Sequence, residues 1–328
     1  MREACATLAG VERPRAIWRR VTQCVALRPA QVSKDDAMIR LSKAEPAGYE
    51  FLRSSDINCR FVNSAVGPDG CLYITDMYRG IIQDAPWLNP DSRKNIVANG
   101  LDDNNQHGRI WRIRHKDFDP RGKEAMSPMS AEPTIALLRH LENPSGWWRD
   151  TAQREIILRQ DRETVVPHLE AISRFGENRL GRLHALWTLE GLGRADLELL
   201  RHVVNDDDPR LRRAAIQIGE ALLVESEGFD AIARPLIEDR DAEVAKQLIL
   251  SLGLYRDHPD TLNVIQQTAR RHPKATGVQL ATTLSLWGMD RLALIEEIRA
   301  GTAFDPATNM VWKNMLGNWK RGLAFTDE

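Results

Sequence analysis

The feature that most constrains this chain is a spacing. Ala152, Ala185, Ala215, Leu248 and Ala281 follow one another at about 33, 30, 33 and 33 residues. A fixed period of that length is the signature of a solenoid built from helix pairs. The five residues occupy equivalent places in the second helix of each pair. Around Ala215 the apolar stripe is Leu211, Ala214, Ala215, Ile218 and Leu222, all at helical spacing. Small residues in such a stripe let neighbouring helices approach closely. Polar turns precede these helices, as in Glu142-Asn143-Pro144 and Asn205-Asp206-Asp207-Asp208-Pro209. There Asp or Asn caps the helix start and Pro fits its first turn. Pro167 and Pro235 fall inside first helices, which they are expected to bend. The pattern predicts an α-solenoid over residues 133–328.

Ahead of it the signals change to β, over residues 38–118. Phe61-Val62-Asn63-Ser64-Ala65-Val66 and Cys71-Leu72-Tyr73-Ile74-Thr75 are β-prone runs, separated by the turn Gly67-Pro68-Asp69-Gly70. In that turn Asp69 reads as a turn residue. Gly108 to Arg114 alternates apolar and basic residues, which predicts a strand with one buried and one wet face. Between them lies a polar insertion, Asp84 to Gln106, of a length that is uncommon unless it carries function or is disordered. Three or four antiparallel strands amount to about one blade of a propeller. Residues 119–132 read as a linker, and residues 1–37 contain no run long enough for a strand. The expected fold is therefore α-rich and mixed: a partial β-propeller followed by an α-solenoid of HEAT-like helix pairs.

Composition excludes several classes. With 45 basic and 46 acidic residues the chain lacks the local cationic excess of a general nucleic-acid binder. The cluster Arg210-Leu211-Arg212-Arg213 reads as the solvated edge of a helix. The four cysteines, Cys5, Cys24, Cys59 and Cys71, form no Cys-x-x-Cys pair, which removes zinc-clip, redox and haem-attachment motifs. Cys59 and Cys71 are expected as buried thiols. No apolar run approaches the roughly 20 residues of a membrane-spanning helix, so no membrane insertion by this chain is expected. The N-terminal charges fall on the wrong side of the apolar stretch for an export signal. No dinucleotide, Walker or serine-elbow motif is present.

Several strings carry a family resemblance: Phe51 to Asp56, Gly67 to Gln83, Gly108 to Ile113, Asn143 to Gln153 and Leu183 to Leu192. Together they resemble the last propeller segment and following repeats of large secreted bacterial proteins labelled membrane-bound dehydrogenases. Those proteins resemble the glucose/sorbosone dehydrogenase propellers. The resemblance implies a periplasmic or secreted setting, pyrroloquinoline quinone in the propeller and a c-type haem domain beyond the repeats. In this chain the earlier blades, the haem motif and a signal peptide are missing. Cys59-Arg60-Phe61-Val62-Asn63 also departs from the family's usual string. A truncated or mis-started gene product is the economical expectation, with a cytoplasmic location for the chain as written. No cofactor and no metal or haem ligands are expected in the chain itself.

Asp76-Met77-Tyr78-Arg79-Gly80 follows a strand at a blade end, where propellers place ligand-contacting loops. Asp76, Arg79 and, on the next strand, Arg109 are the candidate ligand or cofactor contacts: Asp76 for a sugar or cation, Arg79 for an anionic quinone or carboxylate. The alternative is an Asp76–Arg79 pair that only braces the loop. His107 and His115 read as surface residues. Trp147, Trp148, Arg149 and Asp150 are candidate domain-junction residues, with the indoles packing and Arg149–Asp150 pairing at a helix start. Trp187 and Trp287 read as core, and His184 as a hydrogen-bonded residue. Catalytic residues stay unassigned. The expected function is a scaffold that docks a partner protein or the missing propeller and cytochrome domains, without catalysis by this chain alone. The alternatives are one part of a split sugar dehydrogenase, and a free-standing adaptor whose β segment caps the first repeat.

Overall fold

The computed structural model describes residues 25–27, 30–35, 38–43, 51–82, 85–103, 106–114 and 128–304, with side chains from residue 51 onward. His115, most of the linker and residues 305–328 of the expected solenoid lie outside the described residues. The chain divides into two units. The first takes in the described parts of 1–33, 41–131 and 145–148, the second those of 34–40, 132–144 and 149–328.

Strands begin earlier than the sequence pattern indicates. β1 (Val25–Leu27) pairs antiparallel with β4 (Leu52–Ser54), Val25 opposite Ser54, and β2 (Ala30–Asp35) pairs with β3 (Met38–Lys43). β1 is three residues long and is followed by Arg28-Pro29, so non-local pairing rather than its own periodicity makes it a strand.

β5 (Phe61–Val66), β6 (Leu72–Asp76) and β7 (Arg109–Ile113) form an antiparallel sheet in that order. Gly70 closes the β5–β6 turn at φ +76°, its N–H 3.0 Å from the Gly67 carbonyl. Arg109 lies opposite Asp76, and Trp111 opposite Ile74. Arg109 thus shares the face of the fully buried Ile74 and Asp76, whereas Ile110 is 63% exposed. The expected apolar-in, basic-out alternation of β7 is therefore corrected. A guanidinium can lie on the inner face because a carboxylate meets it there.

The long insertion holds a helix of its own, α1 (Pro90–Ala98). Asn89 caps it through a 2.7 Å bond to the Ser92 N–H, and Pro90 takes its first position. At its end Gly100 is left-handed (φ +59°) and the Leu101 N–H returns to the Ile96 carbonyl at 3.0 Å. The base of the insertion is tight. A Cβ at Gly80 would lie 2.5 Å from Leu101 Cβ, and Arg60 Nη2 donates to the Gly80 carbonyl at 2.7 Å.

The second unit is helical. A 3-10 helix (Thr134–Glu142) precedes α2 (Gly146–Arg159), α3 (Arg162–Phe175), α4 (Arg179–Gly191), α5 (Leu197–Val203) and α6 (Pro209–Ile218). After a short α7 (Ser226–Gly228) come α8 (Ala242–Leu254), α9 (Thr261–Arg271), α10 (Thr276–Trp287) and α11 (Arg291–Ala300). α4, α6, α8 and α10 pack side by side in sequence order. α3 lies on α4 and α5, and α9 on α8 and α10. All five recurrent residues fall in even-numbered helices, and each is at most 2% exposed. Each lies six residues beyond its helix's first residue (152 − 146, 185 − 179, 215 − 209, 248 − 242), or five in α10 (281 − 276).

α3 runs unbroken through Pro167. Around Pro235 the chain instead passes from α7 into a π turn (Phe229–Ala233) and a 3-10 turn (Arg234–Leu236). Trp187 and Trp287 are half-buried rather than core. No helix among the described residues is long and apolar enough to cross a membrane.

Candidate functional site

In the sheet unit the chemistry converges on Asp76, the last residue of β6 and fully buried. Its Oδ1 accepts from the Arg60 N–H at 2.7 Å and the Tyr78 N–H at 2.9 Å. Its Oδ2 accepts from Arg109 Nε at 2.8 Å and Trp111 Nε1 at 3.1 Å, with Arg109 Nη2 2.7 Å away. Burial alone pushes the Asp76 carboxyl up. The donors from Arg60, Trp111, Tyr78 and Arg109 outweigh it and hold the carboxyl below its ordinary value. Arg109 also reaches Asp56 at 3.3 Å, and its guanidinium carbon stacks 3.7 Å from the centre of the Tyr78 ring. Tyr78 has φ +46°, a left-handed conformation held by its N–H bond to Asp76.

The structure thus brings Asp76 and Arg109 together and leaves Arg79 apart. Arg79 is exposed and makes no ion pair among the described residues. The bracing pair is Asp76 with Arg109, 33 residues on, and not Asp76 with Arg79. A carboxylate offers about four lone-pair sites, and those of Asp76 are met by protein donors. Asp76 therefore has no free site for a sugar, quinone or cation in this arrangement. Asp69 is more than a turn residue. It accepts from the Cys71 N–H and the Tyr73 hydroxyl, both at 3.0 Å, and pairs with Arg112 at 2.6 Å. Cys59 and Cys71 are free, buried thiols, both pushed up by burial. His107 is exposed and edge-on to Tyr78.

Trp148, 7% exposed, donates its indole N–H to the Pro68 carbonyl at 2.9 Å and meets Trp147 edge-on at 5.3 Å. All of these residues belong to the first unit. The expected Arg149–Asp150 pair is absent, because adjacent helical residues diverge by about 100°. Arg149 Nη1 instead donates to the Asn143 and Pro144 carbonyls at 2.6 and 2.9 Å, and its Nε donates to His184 Nε2 at 3.2 Å. With Nε2 accepting, His184 Nδ1 donates to Gln153 Oε1 at 2.7 Å. Burial first, then the Arg149 charge, push the His184 pKa down, and exposed Asp150 at 4.0 Å opposes them weakly.

The arginine cluster of α6 also departs from expectation. Arg210 pairs with Asp208, Arg213 with Glu243, and Arg212 with Asp239. Arg212 and Arg213 brace α6 to the following element, whereas Arg210 is exposed, as on a solvated edge, and pairs only with the cap of its own helix. Arg212 grips Asp239 with Nε at 2.6 Å and Nη2 at 2.9 Å, while its Nη1 holds the Asp206 carbonyl at 2.7 Å. The preceding pair repeats the arrangement, Arg182 pairing with Asp206. Asp206 and Asp239 each accept the N–H two residues on at 2.8 Å. The residues there, Asp208 and Asp241, cap α6 and α8. Arg149, Arg182 and Arg212 all stand three residues beyond the first residue of an even helix, where α8 has Ala245 and α10 has Gln279. The signal was present in the sequence as Asp-x-Asp turns 33 residues apart (239 − 206), but the arginine partners lie 24 and 27 residues upstream.

No curated protein and no solved structure matches the chain. One family model, described as "Domain of unknown function (DUF7133)", matches residues 19–117, a span that contains β1 to β7.

Proposed function

We propose that the helical unit is a HEAT-like scaffold that holds a partner protein. In this reading the sheet unit is a blade-like element of a dehydrogenase-related propeller, without oxidative chemistry of its own. The observation that carries the reading is the repeated rung. Arg182–Asp206 and Arg212–Asp239 join successive even helices with the same turn chemistry at the same helical position. A rung that repeats with the helices supports a quasi-one-dimensional stack, in which each repeat is fixed to its neighbour. Such stacks present long continuous surfaces to partners. Leu158 of α2 (69% exposed) and Leu254 of α8 (75% exposed) both stand twelve residues beyond their helix starts (158 − 146, 254 − 242), which supports a surface running along the even helices.

The test is photo-crosslinking in the native host from residues placed at Leu158 and at Leu254. One and the same protein is expected from both sites, and Leu158→Glu is expected to abolish its recovery. No crosslinked protein from either site in a folded chain would sink the reading. So would quinone-dependent oxidation of sugars or alcohols by the purified chain.

A further inference from the structure

The insertion between β6 and β7 is built to be seen from outside. None of the nine residues of α1 is buried, and Trp87 just before it is 81% exposed. A helix this short is marginal in water by itself. Here it is held by the Asn89 cap, the Gly100 turn and the Gly80–Leu101 clasp, with Ser92 and Ile96 half-buried and no residue fully buried. A preformed element with an exposed face lowers the ordering cost of binding.

That face has a definite chemistry. Pro90, Arg93, Lys94 and Val97 fall at i, i+3, i+4 and i+7, and with Leu88 and Ala98 they line an open groove of about 660 Å³. Val97 is 61% exposed. Arg93 and Lys94 are exposed and make no ion pair among the described residues. The groove therefore combines apolar walls with two adjacent cations that have no ion-pair partner among the described residues.

We infer that this groove is a docking site for a segment of a partner protein that carries acidic side chains beside apolar ones. Charge complementarity selects the acidic side chains, and the Leu88, Pro90 and Val97 surfaces select the apolar ones. A bilayer is a poorer occupant. Its positive charge is confined to Arg93 and Lys94, with exposed Asp91 and Asp103 to either side, so it offers two cations to a narrow segment and no broad cationic face to an anionic surface. The inference concerns the sheet unit and stands apart from the scaffold reading of the helices.

The test uses the full chain and fluorescein-labelled peptides alternating Glu with Leu, set against Lys/Leu and Gln/Leu peptides and phosphatidylglycerol vesicles. The Glu/Leu peptide is expected to bind at least about tenfold tighter than either other peptide, and more weakly as salt rises. Arg93→Glu with Lys94→Glu should weaken it by about tenfold or more, and Val97→Asp should do so with both cations kept. These side chains are not buried, so circular dichroism and melting should be unchanged. Equal binding of the Lys/Leu peptide, indifference to the charge reversal, binding to vesicles alone, or no binding at all would each overturn the inference.

Discussion

At the scale of single residues, buried Asp76 and half-buried His184 illustrate how the fold sets the charge of polar groups. Asp76 remains ionised because five donor atoms from four residues face it, and those donors in turn need its charge. Asp76→Asn keeps the size but leaves Arg109 and Trp111 facing an amide that cannot accept from both and also keep its own hydrogens bonded. Removing one partner of a buried pair costs about 3 kcal/mol. The β6 amides of the variant should then exchange about a hundredfold faster in hydrogen-exchange mass spectrometry, and unchanged exchange would contradict the brace. His184 works in the opposite sense. Its pKa is lowered in the fold from an ordinary 6.5, so the unfolded chain takes up the proton first as pH falls. Its contribution is complete above about 6.5 and is lost as the pH drops through the lower folded value. The wild-type chain should therefore lose melting temperature between pH 7.5 and 5.5 more steeply than His184→Gln. Parallel slopes would show that this histidine does not carry the dependence.

At the scale of elements, close approach between helices makes a second demand. Gly253 of α8 faces α10, where an added Cβ would lie 2.7 Å from Ser285 Cβ and 3.1 Å from its Cα. Alanine gains about 1 kcal/mol of helix propensity, but overpacking of this kind costs about 2–3 kcal/mol. Gly253→Ala should thus destabilise the helical unit by about 1–2 kcal/mol in urea titrations, and a gain in stability would refute the close contact. The helices themselves were legible in the sequence, because apolar residues, four Ala and one Leu, recurring at a 30–33 residue spacing mark a buried position whatever surrounds it. α1 was not, although Asn89-Pro90 and Asn99-Gly100 are cap signals at both of its ends. Its polar face gave no apolar stripe to read. β1 and the Asp76–Arg109 pair were hidden for a different reason. Their partners lie 25 to 33 residues away in the chain (52 − 27 for Leu27 and Leu52, 109 − 76 for the pair), and local patterns do not report distant pairings.

At the scale of the molecule, the two units call on different physics. The sheet unit concentrates its polar braces on the β6–β7 pair, around Asp76 and Asp69. The helical unit distributes them, with an Arg–Asp rung at each junction between α4, α6 and α8 and the Arg213–Glu243 pair added at the second. A concentrated brace fails as a whole, whereas a distributed one fails locally. If nearest-neighbour rungs hold the helical unit as a stack of repeats, native-state hydrogen exchange of Asp239→Ala should show it. That change removes the acceptor of Arg212 and of the Asp241 N–H together. Exchange should be faster by about a hundredfold in α6 and α8, with α3 and α11 still protected as in the wild type. Loss of protection spread evenly over every helix from α3 to α11 would contradict it.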